Sequence, residues 1–472
     1  EMGSLSSEGR QKEWFKESAK SIKNKFPEIK AFVLFNSGLN KNIPVKTNLK
    51  YLDWRVFNPE IIFASGSLAK ETINTSFLLK NTGSSSKSTV KAGVNMLEFA
   101  RIKGVNYTKG LNWSTNYNTL RNKEIISDFA EIKQMGFNTV KRYGPDVYDY
   151  NLFAAAERYD LNINYGFFIP DNLDFLNDQE SLEKLDNIIL KAVAELKTEK
   201  KIIAWNFGNT PLQKFDDYYF KPELIYYQYA YAEWLKKLIR KIKQEDPGRP
   251  VSVDLEVTDR LPGIVSFLKY QVPEIDIFGL VINDRSPTTI NYKQLGVSYF
   301  LSKIEAVTYL NRPLQNEGFF IADWQDQEKR DLVSFDGLKD NWGRNKISLY
   351  RLRNRFKNLS SPDLLPRVKI LRPAVTIGAN SRNTYHALVE DKNEWKLAES
   401  IQNGLKYDWY LVKTDPFGNG VSMKHVGSGA SLLLRTPYQP WEYQLYLNGS
   451  RGNNATTTQS ILNIPLGTPE DK

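Results

Sequence analysis

The stretch Glu124-Ile-Ile-Ser-Asp-Phe-Ala-Glu-Ile-Lys-Gln-Met135-Gly-Phe-Asn-Thr-Val-Lys-Arg142 changes period halfway along. Ile125, Phe129 and Ile132 fall on one face of a helix, Gly136 supplies a stop signal, and a short β-type run ends on Arg142. The unit recurs. Leu185, Ile188, Ile189, Ala192 and Val193 line a second helix over Leu182 to Leu196. Short apolar runs end near Tyr107, Arg142, Asp171, Asn209, Glu256, Asn283, Ser302 and Trp324. Eight βα units in roughly 225 residues predict an α/β fold, a (β/α)8 TIM barrel.

Outward from that core, residues 59–98 read as a linker or small β element and residues 99–360 as the barrel. Residues 366–467 carry alternating patterns with Gly and Asn turns, such as Tyr407-Asp-Trp-Tyr-Leu-Val and Trp441-Glu-Tyr-Gln-Leu-Tyr-Leu. They predict a C-terminal β-sandwich domain of the Ig-like kind.

Composition narrows the chemistry. With 472 residues, 10 Trp, 25 Tyr and an aromatic share of 13%, the chain has core and surface enough to stack on the apolar faces of sugar rings. Cysteine is absent and only His386 and His425 are present, which argues against thiolate metal sites, a cysteine nucleophile and a serine–histidine triad. No metal and no cofactor is expected. The net charge of +10 comes from Lys and Arg dispersed among nearly as many carboxylates, a solvated basic surface rather than a nucleic-acid footprint. No apolar run reaches the ~18 residues needed to span a membrane.

Strand ends line the active site of such a barrel, and here they are polar: Arg142, Asp171, Asn206 and Asn209, then Asp254 and Glu256. Arg101-Ile-Lys-Gly-Val-Asn-Tyr107, Met135-Gly-Phe-Asn-Thr-Val-Lys-Arg-Tyr143 and Ala204-Trp-Asn-Phe-Gly-Asn209 resemble the barrel of the family 2 glycoside hydrolases and their relatives in clan A. The resemblance implies a glutamate acid/base directly after the strand-four asparagine and a glutamate nucleophile ending strand seven. In a retaining enzyme these carboxyls stand ~5–5.5 Å apart.

The residue after Asn209 is Thr210, which cannot serve as a protonated acid near neutral pH. Strand seven has two registers. In the preferred one, Gly296-Val-Ser-Tyr-Phe-Leu-Ser302 is strand seven, Lys303 takes the nucleophile's place, and Gly318 to Asp326 is strand eight. In the other, Glu317 is the nucleophile and strand eight falls at Leu332 to Phe335. Trp324 is read as a sugar-stacking platform at the rim. Lys303 pairs with Glu256 or Asp323, or faces water. Should the barrel be active, Glu317, Glu256 and Asp171 are the candidate carboxylates.

Glu1-Met-Gly-Ser, the helical stretch Gln11 to Lys25, Ala31-Phe-Val-Leu-Phe-Asn36 and Asp53-Trp54-Arg55 resemble the last part of a family 26 glycoside hydrolase barrel. Residues 1–58 are thus expected to be a partial α/β segment, with Glu1 in a nucleophile's position and its partner strands missing. Together these readings predict a degenerate, carbohydrate-binding barrel in a longer extracytoplasmic multidomain chain. Its partner is a polysaccharide or oligosaccharide. The alternatives are an active glycosidase with non-standard carboxylates and a structural spacer.

Overall fold

The helix-then-strand unit forms where its period changes. Helix α1 (Asn122–Met135) buries Ile125, Phe129 and Ile132. It ends at Gly136, whose φ of 101° places it in the left-handed region that glycine enters without a Cβ clash. Strand β2 (Thr139–Gly144) follows at once. This computed structural model describes residues 99–112, 119–209, 211–283, 286–287, 292–312, 317–329, 332–373, 378–415, 419–437 and 442–463, with 17, 18, 21, 24 and 25 besides. The chain divides into two compact units, 1–91 and 92–472, and the second contains the barrel and both β-sheets. The expected family 26-like segment, with Glu1, and the expected 59–98 linker lie outside the described residues.

Eight parallel strands close in sequence order into a barrel. They are β1 (Lys103–Asn106), β2, β3 (Asn162–Phe167), β4 (Ile202–Phe207), β5 (Val251–Glu256), β6 (Ile277–Val281), β7 (Tyr299–Ile304) and β8 (Phe319–Ile321). Around them run α2 (Asp149–Arg158), α3 (Gln179–Leu196), α4 (Pro211–Tyr218), α5 (Glu223–Glu245), α6 (Leu261–Gln271), α7 (Ala306–Asn311) and α8 (Ile347–Lys357). Phe99, Ile102, Ala204, Ile277, Phe300 and Phe320 pack together at the strand starts and close the bottom of the barrel. Gly104 is required there, because a Cβ would stand 2.2 Å from the Phe320 ring.

Of the two registers, the chain adopts the first: β8 pairs with both β7 and β1. Leu332 to Phe335 goes elsewhere. Strands β9 (Asp323–Gln325), β10 (Gln327–Lys329), β11 (Leu332–Ser334), β12 (Gly337–Lys339) and β13 (Asn345–Lys346) leave the barrel. They join β17 (Lys406–Thr414), β18 (Gly420–Ser428), β20 (Glu442–Arg451) and β21 (Asn454–Asn463) in a nine-stranded sheet.

The second sheet consists of β14 (Val368–Leu371), β15 (Arg382–Asp391), β16 (Glu394–Leu397) and β19 (Ser431–Arg435). Tyr385, Val389 and Leu434 from this sheet pack on Trp409, Leu445 and Leu462 from the large one, so the two form a sandwich. The large sheet does not respect a boundary at residue 366. Short runs leaving β8 satisfy their backbone groups on the open edges of β18 and β21, which also covers those edges.

Candidate functional site

Side chains alternate between the inside and outside of each barrel strand, and the inside here is filled by charge. Lys141 on β2 forms an ion pair with Asp254 on β5, both side chains being essentially inaccessible. Lys141 Nζ donates to Ser302 Oγ at 2.6 Å, and Ser302 Oγ donates to Asp254 Oδ2 at 2.6 Å. Asn206 Nδ2 donates to Asp254 Oδ1 at 2.8 Å and to Ser252 Oγ at 2.9 Å. Burial alone would lower the pKa of Lys141, but Asp254 and Tyr143 more than offset it and hold the ammonium above its ordinary value. At Gly279 a Cβ would lie 2.0 Å from Asp254 Oδ1, so β6 yields its inward side chain to the carboxylate.

Above this plug lies Tyr143. Its ring is 5.4 Å from Lys141 Nζ, its hydroxyl donates to Gly208 O at 2.8 Å, and a Cβ on Gly208 or Gly166 would meet it at 2.3 or 2.9 Å. Tyr143 therefore lies across the ends of β3 and β4. Edge-on to it, at 6.5 Å between centroids, stands Phe168, which is 55% exposed.

Across the mouth, Lys303 Nζ is 3.4 Å from Asp336 Oδ2. Burial would lower its pKa, but Asp336 and Asp323 hold it above the ordinary lysine value. Asp323 is buried and accepts from Thr108 Oγ1 at 2.6 Å, from Gln327 Nε2 and from the Trp324 backbone N–H at 2.9 Å. Burial outweighs these bonds and pushes its carboxyl up to about 6. A carboxyl-carbon NMR titration should return that midpoint. Thr108→Val should move it higher, because the lost hydroxyl bond favours the charged form. A midpoint at the usual aspartate value would refute the assignment.

The sequence candidates distribute unevenly over this geometry. Lys303, Asp323 and Glu256 are at the mouth. Glu256 is held through its backbone, to Gln213 Oε1 at 2.6 Å and from Gln213 Nε2 at 2.9 Å; its carboxylate has no partner among the described residues. Asp171 is exposed on the rim and paired with Lys214 at 2.5 Å. Asp254 and Asn206 are inside the plug, out of reach of a ligand at the mouth. Asn209 clamps the segment after β3, accepting from Ile169 N at 2.8 Å and donating to Ile169 O. Thr210 lies outside the described residues.

Three expectations need correction. Arg142 is fully buried and points away from the lumen, donating to Tyr107 O at 3.0 Å, Lys109 O at 2.6 Å and Asp146 at 3.1 Å. It clasps loops and cannot reach a sugar. Trp324 is not a platform: the chain has already turned out of the barrel, and the indole is fully buried in the main core. Glu317 precedes β8 rather than closing β7, so it sits at the opposite end of the barrel, 3.3 Å from Arg312, and is a structural partner there.

Sequence reasoning misses Lys141, Ser302, Tyr143 and Phe168. A lysine within Thr139-Val-Lys-Arg-Tyr143 and paired aromatics in Gly166-Phe-Phe-Ile are the signals that point to them.

No family model and no curated protein sequence matches the chain. Solved structures similar to it include a β-glucuronidase of Bacteroides uniformis, at 12% identity and TM-score 0.43 over 77% of this chain and 46% of that one. A Parabacteroides merdae β-glucuronidase matches at 10% identity and TM-score 0.39, over 77% and 50% of the respective chains. A β-galactosidase from the psychrophilic Marinomonas ef1 matches at 8% identity and TM-score 0.37, over 54% and 58%. The chain spans about half the length of these proteins. Likenesses this distant carry no functional argument; the barrel is established by its own strand pairing.

Proposed function

We propose that this chain is a glycoside-hydrolase-like, carbohydrate-binding protein whose barrel holds a polysaccharide or oligosaccharide without cleaving it by the two-carboxylate route. One observation carries the reading: the end of β7, where the clan A resemblance calls for a nucleophile, carries Lys303. An ammonium held above its ordinary pKa cannot attack an anomeric carbon. Thr210 after Asn209 removes the matching acid, and the Lys141–Asp254 pair fills the space below. Phe168 offers an exposed ring at the mouth, and the Glu256 carboxylate offers an acceptor for hydroxyls. A polysaccharide partner suits an extracytoplasmic, multidomain setting.

Incubation with a panel of β-glycans should release no reducing sugar above the uncatalysed background, while calorimetry detects binding. Phe168→Ala should weaken that binding about fivefold, the loss of one stacking contact, and Lys303→Ala about tenfold. An absence of binding throughout would favour a spacer role.

A second reading rests on Asp323. A carboxyl titrating near 6 is suited to general-acid work, and Glu256 stands three strands away around the mouth. Robust turnover abolished by Asp323→Asn or Glu256→Gln would establish this reading and overturn the first.

A further inference from the structure

Strand β7 has one residue more than its neighbours can pair. Against β6, Leu280 pairs with Leu301, but the next residue, Val281, pairs with Lys303. Against β8, Leu301 pairs with Phe319 and Ile304 with Ile321. The surplus residue is a β-bulge, which interrupts a strand's alternation for one step and re-aims a side chain. Ser302 and Lys303, consecutive in sequence, therefore both serve the lumen. Ser302 donates to Asp254 in the plug at 2.6 Å, and Lys303 lies above it, within reach of the charges of Asp336, Asp323 and Tyr143. Strict alternation after Ser302 would turn Lys303 outward.

Asp336 comes to the same place from the sandwich side. Its neighbour Gly337 pairs with Asp323 in β9 and donates its N–H to Asp326 Oδ1 at 3.0 Å. A Cβ at Gly337 would stand 2.1 Å from the Asp326 backbone nitrogen, so the close approach requires glycine. The backbone that carries Asp336 is thus fixed before any ligand arrives. Unlike the Lys141–Asp254 and Lys346–Asp326 pairs, which are shut off from solvent, Lys303 and Asp336 are 43% and 29% exposed and 3.4 Å apart. Among the described residues Asp336 Oδ2 is the one acceptor at hydrogen-bond distance from the Lys303 ammonium. Further N–H groups of Lys303 are left to donate, and Asp336 Oδ1 is left to accept.

An open cation and anion side by side select a ligand that both accepts and donates. Two adjacent hydroxyls do this: one oxygen accepts from Lys303 Nζ while its neighbour's O–H donates to Asp336. Adjacent hydroxyls of a pyranose are gauche whether cis or trans, so their oxygens stand at hydrogen-bond distance from each other and match the separation of the pair. A ligand carboxylate or phosphate would be drawn to Lys303 but set against Asp336 and against Glu256, which lies in the same row two strands away through Val281. A cationic ligand would meet Lys303 itself. Phe168, exposed beyond Tyr143, presents a ring to the apolar face of a sugar.

We propose that Lys303 and Asp336 form a diol clamp that selects the linkage of the bound chain. It takes a neutral 1,4-linked glycan, whose internal sugars keep adjacent hydroxyls at C2 and C3, over a 1,3-linked one, whose internal sugars have no adjacent pair. The clamp rests on the barrel mouth being a saccharide site and adds which saccharide it holds.

The test is calorimetry on the full chain with xylohexaose, cellohexaose and mannohexaose, which are neutral and 1,4-linked, with 1,3-linked laminarihexaose, and with hexagalacturonate, which is 1,4-linked and acidic. The tightest neutral 1,4-linked hexamer should bind at least tenfold more strongly than laminarihexaose, the worth of hydrogen bonds to charged groups. Asp336→Ala and Lys303→Ala should each bring that ratio below about threefold, whereas Phe168→Ala should weaken every ligand and leave the ratio unchanged. Unchanged thermal melts show that the variants are folded, and Lys303→Ala, at a partly open position, carries the ratio by itself should Asp336→Ala melt early. Equal binding of the two linkages, a ratio that survives the variants, or tightest binding of hexagalacturonate would overturn the clamp and leave the barrel reading standing. Binding of none of the five would overturn both.

Discussion

Lys141→Met is expected to lower the unfolding free energy by about 3–5 kcal/mol, the cost of leaving one member of a buried ion pair without its partner. The pair is as deeply buried as the barrel allows: the Lys141 and Asp254 side chains are 2% and 0% exposed. Ser302 and Asn206 are oriented on the same carboxylate, so the loss propagates into β4 and β7. Urea unfolding of the single variant measures the cost. Lys141→Met combined with Asp254→Leu separates a broken pair from a simple packing defect, because exchanging a whole buried pair for apolar side chains is often neutral or stabilising. A double variant no better than the single one would show that the hydrogen-bonded frame, not the charge, is what β2 and β5 depend on. A single variant within about 0.5 kcal/mol of the parent, the range of an ordinary surface substitution, would show that the plug adds nothing to stability. Either result bears on function, since the plug occupies the space beneath the position of Lys303.

The barrel is legible in the sequence because its signals are redundant. A helix of period 3.6, a glycine stop and a β run recur, and an error of two residues at any boundary leaves the count of units intact. The site is less legible because it depends on parity and depth. Shifting a strand by one residue exchanges its inward and outward sets, which is why the pattern aims Arg142 at a ligand when Lys141, its neighbour, is the inward residue. Asn206 and Asp254 fall on the expected side of their strands but one layer deeper, since the pattern that marks an inward position carries no measure of distance from the mouth.

Trp324 and the sandwich boundary escape the sequence for one common reason. The strands β9 to β13 have two or three residues each, too short to show a period, and they become strands only by pairing with segments far along the chain such as Gly420 and Asn454. Nothing local in Asp323-Trp-Gln325 says that the chain has left the barrel. Glu317 could be settled only by fixing β7, because Pro313-Leu-Gln-Asn-Glu317 and Gly296 to Ser302 compete for one slot.

Those short strands also set the second large expectation, at the junction of barrel and sandwich. Asp326 accepts from Lys346 Nζ at 2.6 Å, from the Gly337 N–H at 3.0 Å and from the Tyr446 hydroxyl at 3.3 Å, while Lys346 also donates to Phe335 O at 2.8 Å. Burial outweighs the ammonium and pushes the Asp326 carboxyl up to about 7. An acid whose folded pKa exceeds its unfolded value of about 3.9 binds its proton more tightly when folded. Its favourable contribution is therefore complete below about pH 4 and is lost as pH rises through 7. Lys346→Met removes the cation that offsets the charged form, so the pKa of Asp326 climbs further. The damage must then depend on pH. Near pH 8 the variant should lose about 1.4 kcal/mol more than it does at pH 5, the worth of one pH unit above the parent's midpoint, because its carboxyl stays protonated where the parent's ionises. Near pH 5 the carboxyl is protonated in the folded state, and the loss should shrink to the packing difference between the two side chains. Unfolding free energies of parent and variant at both pH values decide it, and an equal loss at the two would show that Lys346 serves β13 through its bond to Phe335 and not through Asp326. Because β10 to β13 are the strands that tie the sandwich to the barrel, the same measurement tells whether the two parts unfold together at pH 5 and separately at pH 8.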